Sequence, residues 1–446
     1  MSAMKNQVRT TISLSTLPVR QRHLLKQICR LADERDLSVY LVGGVVRDLL
    51  LKRGNWDLDL TVEGDGIAFA RLVADRYGAG LAVFERFATA RLTFPNGLKL
   101  DIATSRRESY AQPALLPTVQ HASIEEDLSR RDFTINAIAV QLNQRQFGRI
   151  FDPYEGQRDL CARTIRVLHA GSFLDDPTRI FRAIRFEQRF GFRLERTTLH
   201  LLAQAASTNL IQRLSGPRLR NEILLLFAER NPVLTIARLA QLKLLRFLHR
   251  RLCYVKNVKQ VVSAVPKALA WWTRRFPDSV IDRPMVYLMA LSSESSPLVV
   301  ATMIRRLALS REQAKNMRVG GSRIDRARKR LTDARTIRPS QVYRLLAGFS
   351  GEALVLLLAR QVAMRHEVLL RRLKRDLVSY VKSRTVKTSL TGRDLQALGL
   401  KPGPQYSTIL GKLLAARIDK LITTEAEERA FVRKWLGERN VHDDHR

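Results

Sequence analysis

VYLVGGVVRDLLLKRGNWDLD, residues 39–59, decides how the first part of the chain folds. Val39 to Val42 form an apolar run short enough for a buried strand. Gly43 and Gly44 then allow a tight turn and close approach of the backbone to a phosphate. VVRDLLL has helical spacing, carries Arg47 in its first turns, and would aim its first N–H groups at that anion. Asp57 and Asp59 end the stretch two residues apart. If LDLTV (58–62) is a strand, both carboxylates leave the same face. Acids held side by side repel each other, and a cation relieves the repulsion; carboxylate oxygens suit Mg²⁺. The spacing alone fits two readings. One is a metal-dependent phosphoryl or nucleotidyl transfer site, and the other is an exposed strand with two solvated acids.

The flanking sequence supplies the rest of an α+β unit. Leu24, Leu25, Ile28 and Leu31 recur at helical spacing within 19–35, and IAFARLVADRYG (67–78) is also helical. LAVFER, TARLTF and LKLDIAT read as strands separated by Gly or by Pro-Asn-Gly (95–97), a hairpin signal. Asp101, which ends the alternation of LKLDIA, is expected at a sheet edge as a third carboxylate. Residues 106–124 show no clear periodicity, contain two prolines and read as a long loop. From Phe173 onward helical patterns dominate and strand patterns nearly vanish.

Composition narrows the partners. The 446 residues carry 77 Lys and Arg against 42 Asp and Glu, a formal charge of +35, which favours a polyanion. Residues 301–340 hold twelve Lys/Arg and three Asp/Glu, and LLRRLKRDLVSYVKSRTVK (369–387) spaces basic residues among apolar ones. A single run of this kind is usually a solvated helix face. Its recurrence over the later half points to RNA-backbone contact. Cys29, Cys161 and Cys253 are far apart, without zinc spacing or a disulfide framework. No apolar run is long enough to span a bilayer and the first residues lack a signal-peptide core, so a cytoplasmic protein without membrane association is expected.

GGVVRDLLLKRGNWDLD, RRDFTINAIA (130–139), DPYEG (152–156) and DDPTRIFRAIRF (175–186), in that order, resemble the class II tRNA nucleotidyltransferase and bacterial poly(A) polymerase family. The resemblance is strong over roughly 38–230 and weaker through LTGRDLQALGLKPGPQYSTIL (390–410). It implies a polymerase-β-like nucleotidyltransferase head with a mixed sheet, then an all-helical neck, body and tail. The expected boundaries are 1–165 for the head, with a short extension at 1–18, 166–235 for the neck, 236–440 for an RNA-binding body and tail, and a disordered tail at 441–446.

The resemblance also implies roles. Asp57 and Asp59 would be the catalytic, metal-binding acids, with Asp101 a candidate third ligand. Gly43, Gly44 and Arg47 would belong to the phosphate end. Arg130, Arg131, Asp132 and Asn136 correspond to the motif that holds triphosphate and ribose; local capping is the plain alternative for Asp132 and Asn136. Asp176 and Arg179 correspond to the pair that reads the incoming base. Residues three apart share a helix face, and a carboxylate with a guanidinium can favour the edges of cytosine and adenine over those of uracil and guanine. Asp176 directly precedes Pro177, the pattern of a helix-capping acid, so a capping role competes with base reading. Asp48 is set aside as a structural partner of Arg47 or a neighbour. In SGPRLRNEILLLF (215–227), Arg218, Arg220 and Glu222 are expected to be structural or RNA-facing.

The expected function is therefore template-independent transfer of AMP, with or without CMP, from nucleoside triphosphates to the 3′ end of tRNA, assisted by Mg²⁺. ATP and CTP are the candidate substrates and tRNA the partner. DDPTRIFRAIRFEQRFGF and YAQPALLPTV resemble A-adding members most. A bacterial poly(A) polymerase and a non-catalytic RNA-binding protein are the alternatives.

Overall fold

The computed structural model describes residues 8–54, 56–109, 118–333 and 336–443. The chain forms two compact units, Met1–Phe247 and Leu248–Arg446.

In the first unit, helix α1 (Val19–Asp33) precedes strand β1 (Ser38–Val42), helix α2 (Gly44–Leu50), strand β2 (Leu58–Glu63) and helix α3 (Gly66–Tyr77). Strands β3 (Gly80–Phe84), β4 (Thr89–Thr93) and β5 (Lys99–Thr104) follow, then the short pair β6 (Arg106–Ser109) and β7 (Thr118–His121). Helix α4 (Ile124–Ser129) leads to β8 (Ala139–Gln141) and β9 (Ile150–Phe151). Helices α5 (Gly156–Ala162), α6 (Ser172–Asp175), α7 (Thr178–Phe190), α8 (Arg196–Ser207), α9 (Leu210–Arg213), α10 (Gly216–Ala228) and α11 (Pro232–Gln241) complete the unit.

The main sheet has the order β3-β4-β5-β2-β1-β8-β9. Only β2 and β5 run parallel; the other neighbours are antiparallel. The parallel pair requires a crossover, which α3 and the β3–β4 hairpin supply. Asp65 starts α3 cleanly, its carboxylate accepting from the N–H groups of Ile67 and Ala68 at 3.0 and 2.9 Å. Gly66 lets the helix begin against β5, since a Cβ there would lie 2.7 Å from the Thr104 backbone nitrogen. Phe69, Ala70 and Val73 of α3 are then buried with Leu60, Val62, Leu92 and Ile102 of the strands.

Two expectations need correction. Asp101 does not lie at a sheet edge, because β5 is inside the sheet between β4 and β2. The stretch 106–124 is not all loop: β6 and β7 pair antiparallel from Arg106↔His121 to Ser109↔Thr118, while 110–117 lie outside the described residues. The two strands lack an apolar alternation because the pair is a separate two-stranded ribbon outside the main sheet.

The second unit is helical among its described residues. Helix Lys256–Arg275 packs against Gly351–Ala363, and the latter is buried almost throughout from Ala353 to Gln361. A separate apolar cluster of Leu390, Leu395, Ile409, Leu413 and Val432 gathers the last helices. Of the tail expected at 441–446, residues 444–446 lie outside the described residues, and the backbone of 441–443 continues the last helix, Glu425–Asp443.

Candidate active site

The buried strand β1 delivers the chain to Gly43, whose φ of 73° with ψ of −131° is open to glycine and strained for any side chain. A Cβ at Gly43 would also meet Arg131 Nη1 at 2.9 Å. Next to β1, β2 carries Asp59 in register with Asp101 of β5, and Asp57 stands immediately before β2. Neither Asp57 nor Asp59 has a hydrogen-bonded or ion-paired partner among the described residues. Burial first, then the neighbouring Asp101 and Asp57, push the Asp59 carboxyl up to about 6, although Arg131 and Arg91 pull the other way. Asp101 is itself occupied: Arg91 donates to both its oxygens at 2.6 and 2.7 Å. Among the described residues no cluster of three His, Cys, Asp or Glu side chains is placed to hold a metal. The under-compensated donor set is thus two carboxylates. That suits Mg²⁺, which is commonly held by one or two carboxylates, water and substrate phosphates.

Farther along the cleft the acids are fully engaged. Asp127 is buried and accepts from Arg130 Nη2 at 2.6 Å and from Arg131 Nη2 at 2.9 Å. Burial opposes its charge, but the two guanidiniums win and hold its carboxyl below the ordinary value. Asp132 Oδ1 accepts from the Phe133 N–H at 2.9 Å and from Asn136 Nδ2 at 2.8 Å. Its Oδ2 accepts from Arg182 Nε at 2.8 Å and Nη2 at 2.6 Å. About four lone-pair positions are available to a carboxylate, and all are used here. Burial again works against the charge of Asp132, and Arg182 with Asn136 outweighs it. Asn136 Oδ1 accepts from Arg47 Nη1 at 2.6 Å, while Arg47 Nε and Nη2 each donate to Asp48 at 2.9 Å. The ring of Phe190 lies 4.6 Å from the Arg47 guanidinium carbon, which fixes this arginine from one face.

Asp176 closes α6 and leads into α7. Its Oδ1 accepts from the Thr178 N–H at 3.0 Å, from Thr178 Oγ1 at 2.7 Å and from Arg218 Nη2 of α10 at 2.8 Å. The first of these is the capping contact that the following proline suggests. Arg179 donates from Nη1 to Ser172 Oγ at 2.7 Å and from Nη2 to the Arg130 carbonyl at 2.5 Å. Among the described residues Asp176 Oδ2 and Arg179 Nε make no hydrogen bond or ion pair, so one acceptor and one donor remain on the pair.

These elements enclose one cleft of about 470 Å³. Gly43, Gly44, Arg47, Asp57, Asp59, Arg130, Arg131, Asp132, Asn136, Asp176 and Arg179 all line it. Asp101 does not; it opens on an adjoining hollow of about 300 Å³ that shares Asp59, Arg130 and Arg131. Sequence reasoning missed five further lining residues, Val45, Arg182, Arg185, Phe186 and Arg189, and the buried acid Asp127. The signal for the arginines was present, since positions 179, 182, 185 and 189 recur every three or four residues and share a helix face. Asp48, set aside as structural, is the buried partner of Arg47.

In the second unit the helix Ser322–Asp333 buries Ile324, Ala327 and Leu331 and exposes Arg323, Arg326, Lys329 and Arg330. This gives a basic face suited to phosphates.

Residues 39–166 match the family model of the Poly A polymerase head domain, and 191–254 match the model described as "Probable RNA and SrmB- binding site of polymerase A". An A-adding tRNA nucleotidyltransferase of Halalkalibacterium halodurans is 31% identical over 424 residues, covering 93% of this chain and 92% of the relative. This chain belongs to the tRNA nucleotidyltransferase family. An A-adding tRNA nucleotidyltransferase of Geobacter sulfurreducens is 41% identical over 410 residues, 91% of this chain, and the match spans 46% of that relative's length. Among solved structures, a CCA-adding enzyme in an apo form aligns with a TM-score of 0.80 at 33% identity, covering 97% of this chain and 100% of its own. The Thermotoga maritima CCA-adding enzyme complexed with tRNA aligns with a TM-score of 0.75 at 32% identity, covering 95% of this chain and 97% of its own. CCA-adding enzyme complexes with ATP and with CTP align at TM-scores of 0.76 and 0.78, both at 31% identity. They cover 95% and 97% of this chain and 96% and 99% of their own, respectively. As the resemblance implied, the family fold is a mixed-sheet head followed by helices.

Proposed function

We propose that this chain is a template-independent tRNA nucleotidyltransferase that adds AMP to a tRNA 3′ end, completing CCA. The observation that carries the reading is that Asp57 and Asp59 share one cleft with Asp176 and Arg179. A transfer site and a base-reading pair are what nucleotide addition without a template requires. The A-adding names of the two relatives matched over most of this chain support the subtype. The solved complexes with tRNA, ATP and CTP support the substrate classes.

In the reaction the primer 3′-oxygen forms a bond to the α-phosphorus of ATP, and the bond to the pyrophosphate leaving group breaks. Asp57 and Asp59 are the residues that would hold Mg²⁺, which when bound neutralises the triphosphate and favours the nucleophilic form of the hydroxyl. Gly43 and Gly44 admit the triphosphate to the backbone, and Arg131 stands beside them. Asp132 and Asn136 form the ribose wall. Because Asp132 is saturated, a ribose hydroxyl must exchange with one of its present donors, and Arg182 can follow it without leaving the cleft. Asp176 Oδ2 accepts from the exocyclic amino group of adenine, and Arg179 donates to the neighbouring ring nitrogen. Residues 1–165 are the head and 166–235 the neck in this reading. The basic helices beyond 236 hold the tRNA. Among the described residues no single helix is long and apolar enough to cross a membrane, and the cytoplasm is the compartment this function implies.

The test offers the purified chain three RNAs with ATP, CTP and Mg²⁺: tRNA lacking CCA, tRNA ending in CC, and a generic oligonucleotide. One A added only to the CC-ended tRNA supports the proposal. Completion of CCA from the bare end assigns the full activity. Long tails on generic RNA assign a poly(A) polymerase, and binding without extension assigns a non-catalytic RNA-binding protein.

A further inference from the structure

Seven arginines line the cleft, and their commitments differ. Arg47, Arg130, Arg179 and Arg182 each donate at least two hydrogen bonds within the protein. Arg131 is tied to Asp127 through Nη2 and reaches the phosphate end at Gly43. Arg185 and Arg189 are different. Arg185 is 8% exposed, yet among the described residues its only ion pair is loose, Nη1 to Glu222 Oε2 at 3.5 Å. Its Nε and Glu222 Oε2 are buried without a hydrogen-bond partner. Arg189, with its side chain 44% exposed, approaches Glu229 only at 3.8 Å. A buried guanidinium with unmade hydrogen bonds is costly, and such groups in native proteins ordinarily have a partner to meet.

The chemistry names that partner. Nucleotide addition brings two anions into the cleft, the triphosphate and the last phosphodiesters of the primer. The triphosphate already has Asp57, Asp59 and their cation, Arg131 and the Gly43–Gly44 backbone. The primer strand has no cation assigned to it. On α7, Arg185 and Arg189 lie about 9 and 15 Å along the axis from the base-reading Arg179. They therefore continue one wall of the cleft along α7 past Arg179.

We infer that Arg185 and Arg189 are primer-binding residues, holding the terminal phosphodiesters of the RNA 3′ end inside the cleft. The assignment rests on the proposed function. It predicts that the RNA end is gripped at the site by the neck helix, apart from the basic surface of the second unit.

Equilibrium binding of CC-ended tRNA without ATP, followed by steady-state extension with ATP, tests it on the full-length chain. Arg189→Gln and Arg185→Gln should each weaken tRNA binding and raise the KM for tRNA about tenfold. The KM for ATP should stay within about twofold. The slope of log affinity against log salt should become shallower by about 0.7 for each variant, the value for one lost single-strand phosphate contact. Arg185→Lys, which keeps the charge, should recover most of the binding. A rise in the KM for ATP with unchanged tRNA binding would move both residues to the triphosphate and overturn the inference. Unchanged tRNA binding in both variants overturns it as well. If Arg185→Gln fails to fold, the half-exposed Arg189 decides alone. If the wild type binds tRNA but extends none, the proposed function fails, and the binding arm still judges the two arginines.

Discussion

The two ends of the cleft use the same residue type in opposite ways. At the sheet end, Asp57 and Asp59 have no partner among the described residues, and the Asp59 carboxyl is pushed up to about 6. At the helical end, Asp127 and Asp132 are more deeply buried yet held below the ordinary carboxylate value by Arg130, Arg131 and Arg182. Burial works against the charge of Asp59, Asp127 and Asp132 alike; the difference is whether the protein supplies its own cations. The arginine-wrapped acids are scaffolding that orders the guanidiniums. The bare acids are a site whose charge is to be met from outside.

The strongest way to break the comparison is to neutralise one acid at each end. Asp59→Asn should lower kcat for AMP addition by at least about a thousandfold, since the transition state loses its main electrostatic support. The same substitution should stabilise the metal-free protein. The folded carboxyl is raised above its ordinary value of 3.8, so the folded state binds the extra proton and stability falls as pH climbs from about 4 through 6. Asp59→Asn should therefore add about 2–3 kcal/mol at pH 8 and nothing below pH 4, read from denaturant unfolding in EDTA.

Asp132→Ala should do the reverse, destabilising by about 3–5 kcal/mol in the same unfolding experiment, because Arg182 is left partly buried without its carboxylate. If the two variants shift stability in the same direction, the distinction between bare and wrapped acids fails.

Asp176 sharpens the contrast, since it belongs to both classes. Its Oδ1 is committed to Thr178 and Arg218, and Oδ2 is left for the base. Asp176→Ala should erode discrimination against UTP and GTP by about 10–100-fold, measured as the ratio of kcat/KM values. Arg218→Gln should give a smaller loss of the same kind, because it frees the carboxylate to turn. A large fall in activity with the kcat/KM ratios unchanged would exclude the base-reading role.

The smallest expected effect concerns protons. With Asp59 protonating near 6, the Mg²⁺ concentration for half-maximal rate should rise about tenfold for each pH unit below 6 and be flat above about 7.

The sheet end was readable in the sequence because its logic is local. An apolar run, two glycines and a two-residue acid spacing lie within 39–59, and strand periodicity then fixes the common face. The location of Asp101 was harder. Its alternation gave the strand, but its place inside the sheet depends on the β2–β5 crossover, a pairing across more than forty residues. The helical end is non-local throughout. Asp132 meets Arg182 fifty residues away, and Asp176 meets Arg218 across forty-two. The arginine spacing on α7 was visible as a stripe, but its direction into the cleft follows only from packing against α10 and the buried Phe133–Phe186 contact.

The most direct measurement is single-turnover AMP addition to CC-ended tRNA by the wild type and Asp59→Asn, with tRNA affinity determined in parallel. The account predicts a fall of about a thousandfold or more in the rate, with tRNA affinity changed by less than about twofold. A variant that keeps its rate within about tenfold of the wild type would contradict the assignment of the bare acids to the chemistry.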